Sequence, residues 1–280
     1  MPAPTFRQLT GVVETIYPSD AAESWDAVGP VCGDLDAPVA RVLMCVDPHP
    51  LVVQQAIDLR VDVIIAHHPL LLTPVHGVAT NTPAGQVIQQ LVSHGIGLLT
   101  AHTNADVAID GVSDALSAAL GVVDAQPLTE SGLGRIGLLR SATTLAAFAD
   151  EVARSLPSTA HGVRVAGDPR RVITRVAVCG GSGDSLLPEA AKRGADVFVT
   201  SDLKHHRLLD HQLVSDCAVV DVAHWAGEWP WLAWAAGRLS AALADQGATV
   251  EFVVSNLVTD PWTFHVPCLE ATTETAEEAL

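Results

Sequence analysis

The chain is poor in the residues that would staple it, anchor it in a bilayer or hold a polyanion. Its five cysteines are odd in number and widely spaced (Cys32, Cys45, Cys179, Cys217 and Cys268), with no CxxC pair. That argues against a disulfide framework and against a zinc-finger-like site. Cys45 and Cys179 fall in strand-like runs and read as small buried apolar residues. No uninterrupted apolar run approaches the roughly 18–20 residues of a membrane-spanning helix. The start, Met1-Pro2-Ala3-Pro4-Thr5, has neither the basic nor the apolar region of a signal peptide. The expectation is a soluble cytoplasmic protein. Basic residues are scarce: 15 Lys and Arg face 32 Asp and Glu, for a net charge of −17. A broad nucleic-acid surface would be repelled by that balance, and the one basic cluster (Arg164, Arg170, Arg171, Arg175) is too short to reverse it. Part of the negative charge lies in a solvated tail, Glu270 to Leu280.

What is present is an α/β alternation. Residues 41–46, 61–66 and 96–101 read as strands, with helical spacing over 50–59 and 82–94 between them. Residues 172–178, 195–200 and 218–222 repeat the pattern, with a helix over 186–193. The two sets look like a diverged duplication. Arg41-Val42 precedes Val61-Asp62-Val63 by 20 residues, and Arg175-Val176 precedes Ala195-Asp196-Val197 by the same 20. The third strand of each set ends in a histidine, His102 and His224, followed four residues later by Asp106 and Glu228. The expected organisation is a first α/β half over 1–130 and a connecting strand-helix-strand over 131–170. A second α/β half follows over 171–266, with strand 249–254 as its last, and then a flexible acidic tail over 267–280. A functional site is expected in the cleft between the halves.

Residues that carry chemistry gather where α/β sheets place their ligands, beyond the carboxyl ends of the strands. The run Val61-Asp62-Val63-Ile64-Ile65-Ala66 ends in His67-His68-Pro69. His102, His224 and Ser201-Asp202 stand at the ends of other strands. A lone histidine is ordinarily a satisfied core or loop residue, and His49, His76, His94, His161, His211 and His265 are read that way. The clustered ones have number, position and carboxylates in common. Pro69 biases His68 to an extended conformation, so the two neighbouring imidazoles point to opposite sides. They suit two ions side by side better than one. Imidazole with carboxylate suits zinc, iron(II) or manganese rather than calcium. Glu228, just before Pro230, stands near a helix N-terminus that favours its charge. Cys179-Gly180-Gly181-Ser182-Gly183 lacks the P-loop Lys and the full GxGxxG; a tight turn is the plainer reading, a phosphate cradle the other.

Several segments together carry a family resemblance: Trp25-Asp26-Ala27-Val28-Gly29, Ala66-His67-His68-Pro69, His102-Thr103-Asn104-Ala105-Asp106, Gly134-Arg135-Ile136-Gly137, Ser201-Asp202-Leu203-Lys204-His205-His206, and Asp221-Val222-Ala223-His224 with Glu228. In this order they resemble the NIF-three-like family of dinuclear metal-centre proteins, often described as GTP cyclohydrolase 1 type 2 homologues. The chain departs from the family in having Ser201-Asp202 where Gly-Asp is usual, and its connector is too short for the extra domain of longer relatives. The resemblance implies two similar halves, two divalent metal ions per subunit and a toroidal homohexamer. Its ligands fall on His67, His68, Asp106, His224 and Glu228: His67 and Asp106 on one ion, His68 and His224 on the other, Glu228 bridging. His102, Asp202 and His206 are the candidates for proton transfer or for supporting the ligands. The activity implied is metal-dependent hydrolysis with a nucleotide as the possible substrate. The alternative is a non-catalytic metal-handling protein or regulatory scaffold.

Overall fold

The computed structural model describes residues 3–267, so the acidic tail from 268 onward lies outside the described residues. Two successive passes of the chain build nearly the same unit. The first runs α1 (Phe6–Ile16), β1 (Gly29–Cys32), β2 (Arg41–Cys45), α2 (Pro50–Leu59), β3 (Val63–Ala66), α3 (Pro83–Ser93), β4 (Gly97–Thr100), α4 (Thr103–Val107) and α5 (Val112–Ala119). A hairpin of β5 (Val122–Pro127) and β6 (Arg135–Thr144) follows. The second pass runs α6 (Leu145–Ser155), β7 (Val163–Ala166), β8 (Val172–Ser182), α7 (Leu187–Lys192), β9 (Val197–Ser201), α8 (His205–Val214), β10 (Ala218–Val222), α9 (His224–Glu228) and α10 (Pro230–Asp245). The chain closes with β11 (Glu251–Val254).

The sheets carry the same repeat. The first has the order β1-β4-β3-β2-β11 and the second β5-β6-β8-β9-β10-β7. In each, three parallel strands are flanked by an antiparallel one that precedes them in the chain, β1 beside β4 and β7 beside β10. A shared local device pins the register. Asp62 Oδ2 accepts the backbone N–H groups of Ala40 and Arg41 at 2.7 and 2.8 Å, and Asp196 Oδ2 accepts those of Thr174 and Arg175 at 2.8 Å each. The duplication read from Arg41 and Arg175 is therefore a duplication of structure.

Strand alternation assigns each sheet an inner and an outer face. Val42, Met44, Val63 and Ile65 of the first sheet share one core with Val176, Val178, Val197 and Val199 of the second. Helices α1, α5, α6 and α10 fill the space between. Leu43, Cys45, Ile64 and Leu98 face outward under α2 and α3. Ala177, Cys179, Phe198 and Val219 face outward with α7. Both cysteines are buried, as their apolar surroundings predict. The helix ends follow local chemistry: Thr5 caps α1 in a capping box with Gln8, Thr144 caps α6, and Pro50, Pro83 and Pro230 occupy first turns, where a missing N–H costs little.

The segment 131–170 completes the second sheet through β6 and β7 rather than acting as a linker. Two expectations need correction. The last strand, expected to close the second half, lies parallel to β2 in the first sheet, because α10 crosses between the sheets and delivers it to that open edge. The His-x-x-x-acid match between the halves is one residue out of register. Val63 pairs with Gly97, and Val197 with Ala218. Counting six residues on from each, the counterpart of His224 is Thr103, not His102. His102 is the N-cap of α4, whereas His224 is the first residue of α9.

Among the described residues, no helix is long and apolar enough to cross a membrane.

Candidate metal centre

The carboxyl ends of β3 and β4 meet those of β8 and β10 across the gap between the sheets. His67 and His68 follow β3, and His102 and Asp106 sit on α4 just beyond β4. His224 and Glu228 are the two ends of the five-residue helix α9. The ring centroids of His67 and His68 lie 5.0 Å apart, those of His68 and His224 5.1 Å, and those of His67 and His102 5.2 Å. Glu228 is the hub. Its Oε1 lies 2.9 Å from His224 Nε2 and 3.4 Å from His67 Nε2, and its Oε2 lies 3.1 Å from His68 Nε2. Asp106 Oδ1 stands 3.7 Å from His67 Nε2. All five expected ligands thus come to one place. Two sets have donor atoms all within 4.8 Å of one another, His67-His68-His102 and His68-His224-Glu228.

Each imidazole is fixed from behind through Nδ1. His67 Nδ1 donates to the Ala101 carbonyl at 2.9 Å, and a carbonyl can only accept, so in the neutral ring the Nε2 lone pair faces the cluster. His68 Nδ1 donates to Asp47 at 2.7 Å, His102 Nδ1 to Asp26 at 2.8 Å and His224 Nδ1 to Asp202 at 2.6 Å. Such partners orient an imidazole and raise its basicity as a ligand. Asp47 also accepts from Thr259 Oγ1, which draws the segment beyond β11 over the site. On the other side of His67 lies the fully buried Trp231, ring centroids 5.3 Å apart, whose Nε1–H donates to Tyr17.

Titration follows from these neighbours. Burial alone would lower His68 and His224, but the Glu228 carboxylate, with Asp47 and Asp202, pushes them up to about 10 and about 11. Glu228 is held well below the usual carboxylate range: burial would raise it, and His68, His224 and His67 outweigh that. Burial pushes Asp106 up to about 6. His102 moves the other way, below an ordinary histidine, because burial and the His67 charge oppose its protonation more than Asp26 favours it.

Asp202 supports His224 from behind, and its counterpart in the repeat is His68. His206 is exposed in the first turn of α8 and lines neither of the two cavities that reach the cluster. Sequence reasoning gave no role to Asp26 and passed over Asp47. Their only signal was an acid in a turn near a strand end. The stretch around Gly181 is the end of β8 rather than a phosphate cradle, pressed against the cluster.

A model of the Duf34/NIF3 (NGG1p interacting factor 3) family matches residues 4–261. The chain belongs to this family. Among its Duf34/NIF3 relatives, it is 42% identical over 271 residues to a Streptomyces coelicolor protein named GTP cyclohydrolase 1 type 2 homolog, covering 94% of this chain and 95% of that one. A Mycobacterium tuberculosis protein of the same name is 33% identical over 363 aligned residues, covering 90% of this chain and 94% of that one. That alignment is longer than the chain, so the mycobacterial protein carries sequence with no counterpart here. The fold matches a Bacillus cereus protein related to NIF3 with a TM-score of 0.88 at 25% identity, covering 95% of this chain and all of that one. It matches the Staphylococcus aureus hypothetical protein SA1388 with a TM-score of 0.87 at 28% identity, covering 94% and 100%.

Proposed function

We propose that this Duf34/NIF3 protein holds two divalent cations and is a metal-dependent hydrolase similar to GTP cyclohydrolase 1 type 2. One observation carries the reading. His67 Nε2 and Glu228 Oε2 are buried at the centre of the cluster, and neither makes a hydrogen bond. Each such atom costs about 1–3 kcal/mol if left unsatisfied, and a cation between them relieves both. Imidazole and carboxylate donors without thiolate fit zinc, iron or manganese. His67 and Asp106 would hold one ion and His68 and His224 the other, with Glu228 shared. Relatives that bear the cyclohydrolase name supply the reaction class.

Bound there, such cations supply an acidified water and an electrophile for a polarised substrate atom. The chain's own residues do the remaining work. Asp47, Asp202 and the Ala101 carbonyl hold three imidazoles in the ligand tautomer. Glu228 is ionised throughout the neutral range. His102, oriented by Asp26 and neutral near pH 7, presents Nε2 to the cluster as the group that accepts a proton and passes it on. His102 also stands close enough to serve as a further ligand. By resemblance to its family, the chain works as a cytoplasmic toroidal homohexamer.

The test is metal content and GTP turnover of protein purified without chelator, for the wild type and Glu228→Ala. The expected result is bound metal and turnover in the wild type and neither in the variant. Metal without turnover in the wild type would make the protein a metal-handling or regulatory scaffold. A wild type that retains no zinc, iron or manganese would overturn the site.

A further inference from the structure

The larger of the two cavities at the cluster has a volume of 450 Å³ and is lined on the cluster side by His102, Asp106 and Glu228. This lies within the range of small-molecule pockets. Its rim carries Trp25, which is 56% exposed. The backbone on either side of Trp25 is pinned. Glu23 N–H donates to Thr103 Oγ1 at 2.9 Å, and Asp26 accepts from Thr103 N–H at 3.0 Å, from the Thr103 hydroxyl and from His102 Nδ1. The indole meets the His102 ring edge-on, centroids 6.0 Å apart at 75°. An aromatic face is thus held at the mouth of the metal cavity by hydrogen bonds that are already made, so a ligand that stacks on it orders little that is not ordered already.

The lining of the cavity also offers acceptors to a stacked ring. Glu23, Asp106 and Glu228 line it, and no Lys or Arg does among the described residues. The sequence beyond residue 267 contains no Lys or Arg either. The smaller cavity, 310 Å³ on the other side of the cluster, is lined by Asp47, Asp202 and Asp260 together with His68, His161 and His224. A phosphate tail would meet both these carboxylates and the imidazoles of His68 and His224, protonated in the metal-free chain, with no single sign of charge to hold or exclude it. Ring nitrogens that carry hydrogen, by contrast, find acceptors in Glu23 and Ser182.

We infer that Trp25 is a stacking platform for a planar nitrogen heterocycle of the nucleoside or nucleobase class, and that the chain selects its substrate by that ring. This deepens the hydrolase reading and rests on it for the chemistry, but binding of the ring is measured separately. Wild type, Trp25→Phe and Trp25→Ala are titrated calorimetrically with guanosine, adenosine, uridine and GTP, each in zinc-loaded and in metal-free form, with metal content and melting temperature recorded for every sample. At least one nucleoside is expected to bind the wild type and Trp25→Phe similarly and Trp25→Ala about 5- to 150-fold more weakly, the range for losing one base–aromatic stack. Metal content should be unchanged. Binding of none of the three nucleosides, or equal binding to Trp25→Ala, would overturn the inference. Nucleoside binding with no turnover would leave it standing while the hydrolase reading failed.

Discussion

Gly181 is where the second sheet yields to Glu228: a Cβ on Gly181 would lie 2.5 Å from Glu228 Oε1 and 3.2 Å from His224 Nε2. Its φ of +70° adds a second reason for glycine. Gly181→Ala should fold, with a backbone penalty of about 1–2 kcal/mol, but push the hub carboxylate out of place. The expected outcome is a marked loss of bound metal in a chain that still melts cooperatively. Elemental analysis beside a thermal melt checks it, and full metal content in the variant would contradict it.

The acids behind the histidines should tune affinity rather than abolish it. Asp47→Ala and Asp202→Ala each free the Nδ1 of one imidazole, His68 or His224. Each should weaken metal retention about 10–100-fold, measured by competition against a graded series of chelators. His206→Ala, on an exposed turn away from the cavities, should have no effect.

Metal uptake should release protons. In the metal-free chain His68 titrates at about 10 and His224 at about 11, so both are protonated at pH 7, and both must lose that proton to ligate. Apparent affinity should climb with pH above neutrality, and the heat of binding should depend on the ionisation heat of the buffer. Stability of the metal-free chain runs the opposite way. Its raised histidines contribute fully below their unfolded value near 6.5 and lose that contribution as pH rises through about 10–11. Glu228, depressed, contributes above its unfolded value of 4.5 and less as pH falls below it. A pH series of melts without metal should therefore decline on the alkaline side, and the loaded protein should decline less.

Arg135 should be a stability residue. Buried on β6, it makes paired hydrogen bonds to Asp114 at 2.6 and 2.7 Å and donates to the carbonyls of Gly132, Gly134 and Ala108. Removing one partner of such a buried pair costs about 3–5 kcal/mol. Arg135→Ala should lose stability of that order in urea. Because Ala108 ends α4, which carries Asp106, metal retention should fall as well.

Much of the site was legible because its donors stand where strands end, and strand ends can be read from β-branched runs such as Val61 to Ala66. The histidine pair needed only that, whereas the full set of five, Asp106 included, rested on the family resemblance. Less legible were groups whose part depends on contacts between distant segments. Asp26 meets His102 across 76 residues, and Thr259 meets Asp47 across 212. The helices α1, α5 and α8 were not read, although they supply part of the packing. The last strand looked like any other, since nothing local in Glu251–Val254 says which edge it will join. The slip between His102 and His224 shows a similar limit: spacing alone cannot tell an N-cap from the first residue of a helix.

The return of β11 to the first sheet also bears on how the protein is made. His67 and His68 emerge early from the ribosome, Glu228 much later, and Thr259, which braces Asp47 behind His68, later still. The nascent first half displays two imidazoles at the end of the central strand β3, in a sheet whose β2 edge is still open, with no hub carboxylate. If the cluster binds metal as proposed, loading should be deferred until synthesis is nearly over, when the whole ligand set can close at once.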